Sequence, residues 1–178
     1  MVSGWWTRTR RKDVGQYDEE DYVFGACAGA GIYRRDFFEQ VGIFDEDFFI
    51  FAEDVDINMR GQLQGFKCIY LPEAKVYHIG TATVGLYSDR YIFLCKRNDI
   101  FVLIRNYSLR MYFRYLWTIL KHQFNDIKYF TDRGQGLVLF KSKLDVFKML
   151  LPMLSRRFRI QSSRTEPDSK IESLIIKS

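Results

Sequence analysis

Long apolar runs are missing from this chain of 178 residues. No window approaches the roughly eighteen uncharged apolar residues that a helix needs to cross a bilayer, so no membrane span is expected. The first twelve residues mix Trp5 and Trp6 with Arg8, Arg10, Arg11 and Lys12 around no apolar centre, and no secretory signal is read there. Cysteine is sparse and odd in number: Cys27, Cys68 and Cys95 lack C-x-x-C spacing and sit inside apolar runs. They read as buried thiols of a reducing compartment, not as a disulfide or a zinc site, and a cytoplasmic location is expected. Histidine occurs only at His78 and His122. What remains is apolar enough to fold, since 47% hydrophobic and 17% aromatic residues exclude a disordered chain and suffice for one cored domain or part of one.

The net charge of +5 hides a division. Residues 1–89 hold 9 Lys+Arg against 15 Asp+Glu, a net of −6, whereas residues 90–178 hold 18 against 7, a net of +11. Two regions with different partners are implied. The acidic one suits a metal or a protonated hydroxyl, and the basic aromatic one suits a surface of negative charge such as phospholipid.

The most informative stretch runs from Phe48 to Arg60, where Phe48, Phe49, Ile50 and Phe51 lead directly into Glu53, Asp54 and Asp56. Val55, Met59 and Leu63 recur at four-residue spacing and predict the inner stripe of a helix ended by Gly65. Asp56 and Arg60 fall one turn apart and can pair along its side. Glu53 and Asp54 occupy the first turn, where the helix dipole favours an ionised carboxylate, and such a carboxylate beside an apolar pocket is what a general base requires. The alternative reading of both acids is N-terminal capping.

Reading outward, Gly25-Ala26-Cys27, Tyr33-Arg34-Arg35, Phe44-Asp45-Glu46, Glu53-Asp54-Val55-Asp56, Pro72-Glu73-Ala74 and Tyr77-His78 follow one another in an order and spacing that resemble the second half of family 2 inverting glycosyltransferases, the rhamnosyltransferase-like enzymes of polysaccharide assembly in particular. The resemblance is close over residues 15–106 and looser over 133–164. It implies an α/β fold: the acceptor half of a GT-A (Rossmann-like) domain over residues 1–89, followed by a mostly helical basic tail over 90–178. It implies transfer of a sugar from a nucleotide-sugar donor to a hydroxyl of a glycan or lipid-linked acceptor. Asp54 would take the acceptor proton and Glu53 would shape the site. Gly25, Ala26, Cys27 and Asp56 would border the acceptor. His78 would contact a divalent cation, Mg²⁺ or Mn²⁺, or the diphosphate. The family's nucleotide-binding half, with its D-x-D motif, has no counterpart in residues 1–25. The chain is therefore expected to be inactive alone, as a fragment or as a noncatalytic, membrane-associated remnant or subunit that needs a separate half.

Elsewhere the expectations are local. Val23–Cys27, Lys67–Leu71 and Lys75–Tyr77 read as strands. Arg34–Val41 reads as a helix stopped by Gly42, with Arg34 and Arg35 either binding a phosphate or solvated at a helix start. The triplets Asp45-Glu46-Asp47 and Asp54-Val55-Asp56 imitate D-x-D but match later elements of the family. An EF-hand starting at Asp45 fails because Phe49 and Ile50 stand where an oxygen ligand and a glycine are needed. Tyr91–Asn106 and Leu109–Phe124 read as aromatic helices interrupted by Lys96, Arg97, Arg105, Arg110, Arg114 and Lys121. These helices either lie peripherally on the inner face of the plasma membrane or pack on the catalytic core. No recognition motif for nucleic acid is present, and residues 162–169 read as flexible.

Overall fold

The computed structural model describes residues 14–77 and 84–177. In chain order its elements are β1 (Asp21–Val23), α1 (Arg35–Val41), α2 (Glu53–Leu63), β2 (Cys68–Tyr70), α3 (Asp89–Asn106), α4 (Leu109–Thr131), α5 (Gly136–Lys148), α6 (Leu150–Ser163) and α7 (Asp168–Lys177). Two compact units are formed. One comes from the described residues of Met1–Asp45, Glu53–His78 and Arg164–Ser178, the other from those of Glu46–Ala52 and Ile79–Ser163.

This architecture overturns the expected α/β, partial GT-A (Rossmann-like) domain. Helix dominates, and the sheet among the described residues has two antiparallel strands, with Asp21 opposite Tyr70, Tyr22 opposite Ile69 and Val23 opposite Cys68. The reason lies in where the backbone carbonyls go. Beyond Val23 the carbonyl of Phe24 accepts from Gln62 Nε2 at 2.8 Å and that of Ala26 from Asn58 Nδ2 at 2.7 Å, so side-chain amides of α2 occupy acceptors that a neighbouring strand would have used. The strand expected over Val23–Cys27 therefore ends at Val23. Around Pro72 a turn closes with Ala74 N–H donating to Leu71 O, and Lys75–Tyr77 pairs with no strand among the described residues.

In the first unit, α2 is the element on which the others rest. Ile57, Met59 and Leu63 are buried, but so are Asp56, Asn58, Arg60 and Gln62. A helix buried all round must pair its polar groups, and this one does. Arg60 donates to Asp56 Oδ2 at 2.8 Å, to Val41 O at 2.7 Å and to Ile43 O at 2.9 Å. The predicted pair along the helix thus becomes a clamp on the end of α1, which stops at Gly42 in a left-handed conformation (φ 86°). Phe37 and Val41 of α1 pack on Ile57, with Tyr33, Phe38, Phe44 and Phe66 around them. Gly61 lies inside α2 because α1 approaches closely: a Cβ there would stand 2.6 Å from the Phe37 ring. At the other end, Leu63 O accepts from Thr165 and Glu166 N–H, so the stretch expected to be flexible caps α2 between two helices.

In the second unit, α3 packs on α5 and α6. It buries Ile92, Phe101 and Val102 together with Lys96, whose ammonium meets Asp126 at 2.9 Å and Asp99 at 3.5 Å. Charges held this way belong to a core, so α3 answers to packing and not to a bilayer. Burial also pushes the Lys143 ammonium down to about 8, while the nearby Asp126 opposes that shift. The segment 46–52 is strained: Phe49, Phe51 and Ala52 have φ of 62°, 72° and 61°. Asn98, fully buried, holds it there by donating to the carbonyls of Phe48, Ile50 and Phe51 at 2.9, 2.9 and 2.8 Å. Arg97 adds a hydrogen bond to Asp47 O at 2.6 Å.

Candidate active site

Glu53 and Asp54 open α2, as the spacing predicts. The loop from Gly25 to Gly31 folds against this end of the helix. Asp54 Oδ2 accepts from Ala28 N–H at 3.2 Å while its Oδ1 accepts from Val55 N–H at 2.8 Å. The turn is closed by Ala30 N–H on Cys27 O at 2.9 Å. Gly25 is required for the fit, because a Cβ at this position would lie 2.2 Å from Asn58 Cγ. The family-like residues Gly25, Ala26 and Cys27 are thus brought beside Asp54 by α2 itself.

Two residues organise this corner that the sequence reading left out of the site. Asn58 ties Ala26 O to α2 and accepts from Tyr33 Oη at 3.2 Å. Burial first, then the negative charge of Asp54, push the Tyr33 phenol up to about 12. Tyr33 therefore stays a neutral donor beside the carboxylate. A signal for Asn58 was present: an apolar residue at Ile57, off the predicted stripe of Val55, Met59 and Leu63, implies a helix enclosed on more than one side, and an enclosed Asn needs partners.

Glu53 differs from its neighbour. Burial holds its carboxyl above the ordinary range, helped by the charge of Asp54 and opposed by its own backbone N–H. Its Oε2 is buried with no hydrogen-bond partner among the described residues. Such an oxygen can accept from a ligand hydroxyl at no cost of exchange with another protein group. Asp56, by contrast, is fully buried and engaged with Arg60. Cys27 is exposed, and Cys68 and Cys95 are partly so, which corrects the reading of all three as buried thiols.

His78 lies outside the described residues, as do Gly80–Thr83. Among the described residues no group of three His, Cys, Asp or Glu is placed to hold a metal ion. Among the described residues the donors do not form a set that fits the implied Mg²⁺ or Mn²⁺.

Over 105 residues the chain is 32% identical to the "N-acetylglucosaminyl-diphospho-decaprenol L-rhamnosyltransferase" of Mycobacterium tuberculosis, strain CDC 1551 / Oshkosh and, equally, strain ATCC 25618 / H37Rv. The match takes in 53% of this chain and 33% of each relative, so the chain spans about a third of the length of the curated relatives it matches. No family model matches, and no solved structure does. This partial likeness relates the chain to a glycosyltransferase.

Proposed function

We propose that the chain carries the acceptor-activating part of a sugar transfer from a nucleotide-sugar donor to a hydroxyl of a lipid-linked glycan. The carrying observation is the pair of unlike carboxylates at the start of α2, one tethered to the Ala28 N–H and one with a buried unpartnered oxygen. The partial likeness to a rhamnosyltransferase supports the reaction class and makes rhamnose the first sugar to try. On this reading residues 1–89 hold the catalytic side chains and 90–178 the helical tail.

The acceptor hydroxyl binds with its proton towards Asp54, and Glu53 Oε2 accepts from a second hydroxyl of the same sugar. The acceptor oxygen then forms a bond to the anomeric carbon as the bond from that carbon to the diphosphate breaks on the opposite face. The proton passes to Asp54 and the electron pair leaves with the diphosphate. Tyr33, kept neutral, holds Asn58 and through it the Gly25–Cys27 backbone that borders the acceptor.

The test is a chimaera in which the matched 105 residues of the mycobacterial relative are replaced by those of this chain. Rhamnosyl transfer by the chimaera, reduced about a thousandfold or more by Asp54→Asn with donor affinity retained, is expected. Near-normal turnover in that variant would refute the base assignment. A folded but inactive chimaera would favour a noncatalytic piece.

A further inference from the structure

The helix α4 has two apolar faces, and the core explains one of them. Met111 and Phe130 are buried. Leu109, Phe113, Trp117, Leu120, Phe124 and Ile127, spaced by four, four, three, four and three residues, form a second stripe that faces solvent. Trp117 is 82% exposed, Phe113 77% and Phe124 67%. At about 150–250 Å² per aromatic side chain, these three alone expose about 300 Å² or more, already the size of the largest apolar patch on many monomers. The stripe does not end with α4. Leu109 shares an open groove of about 490 Å³ with Leu154 and Phe158 of α6, where Phe158 is 77% exposed, so the apolar surfaces of the two helices meet there.

The charges beside the stripe say what covers it. Arg110, Arg114, Lys121 and Lys128 are exposed and recur at four- and seven-residue spacing, which sets them along one edge of the apolar face. The single acid of α4, Asp126, is buried against Lys96 and faces away from that edge. From 109 to 163 the chain holds 11 Lys+Arg against 3 Asp+Glu, a net of +8. A protein partner would be met by mixed charge at the rim, whereas a one-signed cationic edge along an aromatic stripe matches an anionic bilayer, with rings at the acyl boundary and cations at the headgroups. No helix among the described residues is long and apolar enough to cross a membrane.

We propose that α4, joined by α6 at the groove, lies in the surface of an anionic lipid bilayer with its aromatic stripe inserted and its cationic edge on the headgroups. This site moves the membrane-facing part of the chain off α3, which is packed, and onto a face whose residues can be changed without touching a core.

The experiment is sedimentation of the 178-residue chain with vesicles of phosphatidylcholine, alone and mixed with phosphatidylglycerol. Binding to the mixed vesicles that weakens as salt rises is expected, since the Debye length shrinks from about 30 Å to 10 Å between 0.01 and 0.1 M salt. Phe113→Ser with Trp117→Ser should weaken that binding about tenfold or more at unchanged helicity. Arg110→Gln with Arg114→Gln should remove the preference for the anionic vesicles. No binding at low salt, or binding indifferent to both pairs of substitutions, overturns the proposal. So does a stable dimer that ignores vesicles and is dissociated by the aromatic substitutions, which would make the stripe a contact between two copies.

Discussion

A carboxylate with a buried, unpartnered oxygen costs the fold something, and Glu53 is such a group. Burial raises its pKa above the ordinary carboxyl value of 4.5. The folded state therefore holds its proton more tightly, and the stability tied to it is fully present below about 4.5 and is lost as pH rises above that value. Glu53→Gln should raise the thermal midpoint at neutral pH, with the advantage disappearing in acid. A midpoint difference that does not change with pH would show that burial is not the cause. Tyr33 offers a separate check at the same corner. Its phenol should ionise near 12 instead of near 10, read as the difference in absorbance titration between the wild type and Tyr33→Phe. The sequence showed the carboxylates, because acids after an apolar run stand out in any linear reading. It did not distinguish them, because their difference depends on which oxygen meets the Ala28 N–H across 26 residues of chain.

At the scale of elements, polar side chains inside the packing hold the backbone together. Arg60 serves Asp56 and two carbonyls, so Arg60→Met should take the guanidinium from a buried carboxylate and from both carbonyls at once and cost about 3–5 kcal/mol in urea unfolding. Asn98→Ala should cost about 2–3 kcal/mol, because three carbonyls of the strained 48–52 turn lose their donor together. Ala52→Gly, at φ 61°, should instead stabilise by up to about 1 kcal/mol. Helix positions were legible in sequence: α1, α2 and α3 lie within a residue or two of their expected bounds. Of the strands, Lys67–Leu71 was legible and forms β2, whereas the one expected over Val23–Cys27 was not, since Phe24 and Ala26 have strand-like neighbours but spend their carbonyls on Gln62 and Asn58.

For the whole molecule, the charged cluster of Lys96, Asp99, Asp126 and Lys143 sets a dependence on pH. Lys143 is lowered from 10.5 to about 8 by burial, so between those values the unfolded chain holds the proton that the folded one has lost. Stability contributed by this group should rise as pH climbs from about 8 to 10.5. Lys143→Met should flatten that slope in thermal melts at stepped pH. A slope unchanged by the substitution would assign it elsewhere. The strong cation excess of the second half was plain from composition, yet composition could not say that Lys96 and Arg105 are buried while Arg110 and Lys128 face out.

That contrast has one physical origin. Helix period, glycine stops, the acids at the start of α2 and the Asp56–Arg60 pair are set within a few residues by local geometry, and each could be read along the chain. The fold class, the pairing of carbonyls with Asn58, Gln62 and Asn98, and the choice of the buried face of α4 are set by groups that lie far apart in sequence. A backbone acceptor takes whichever donor packing brings within reach, and only the folded chain supplies that distance.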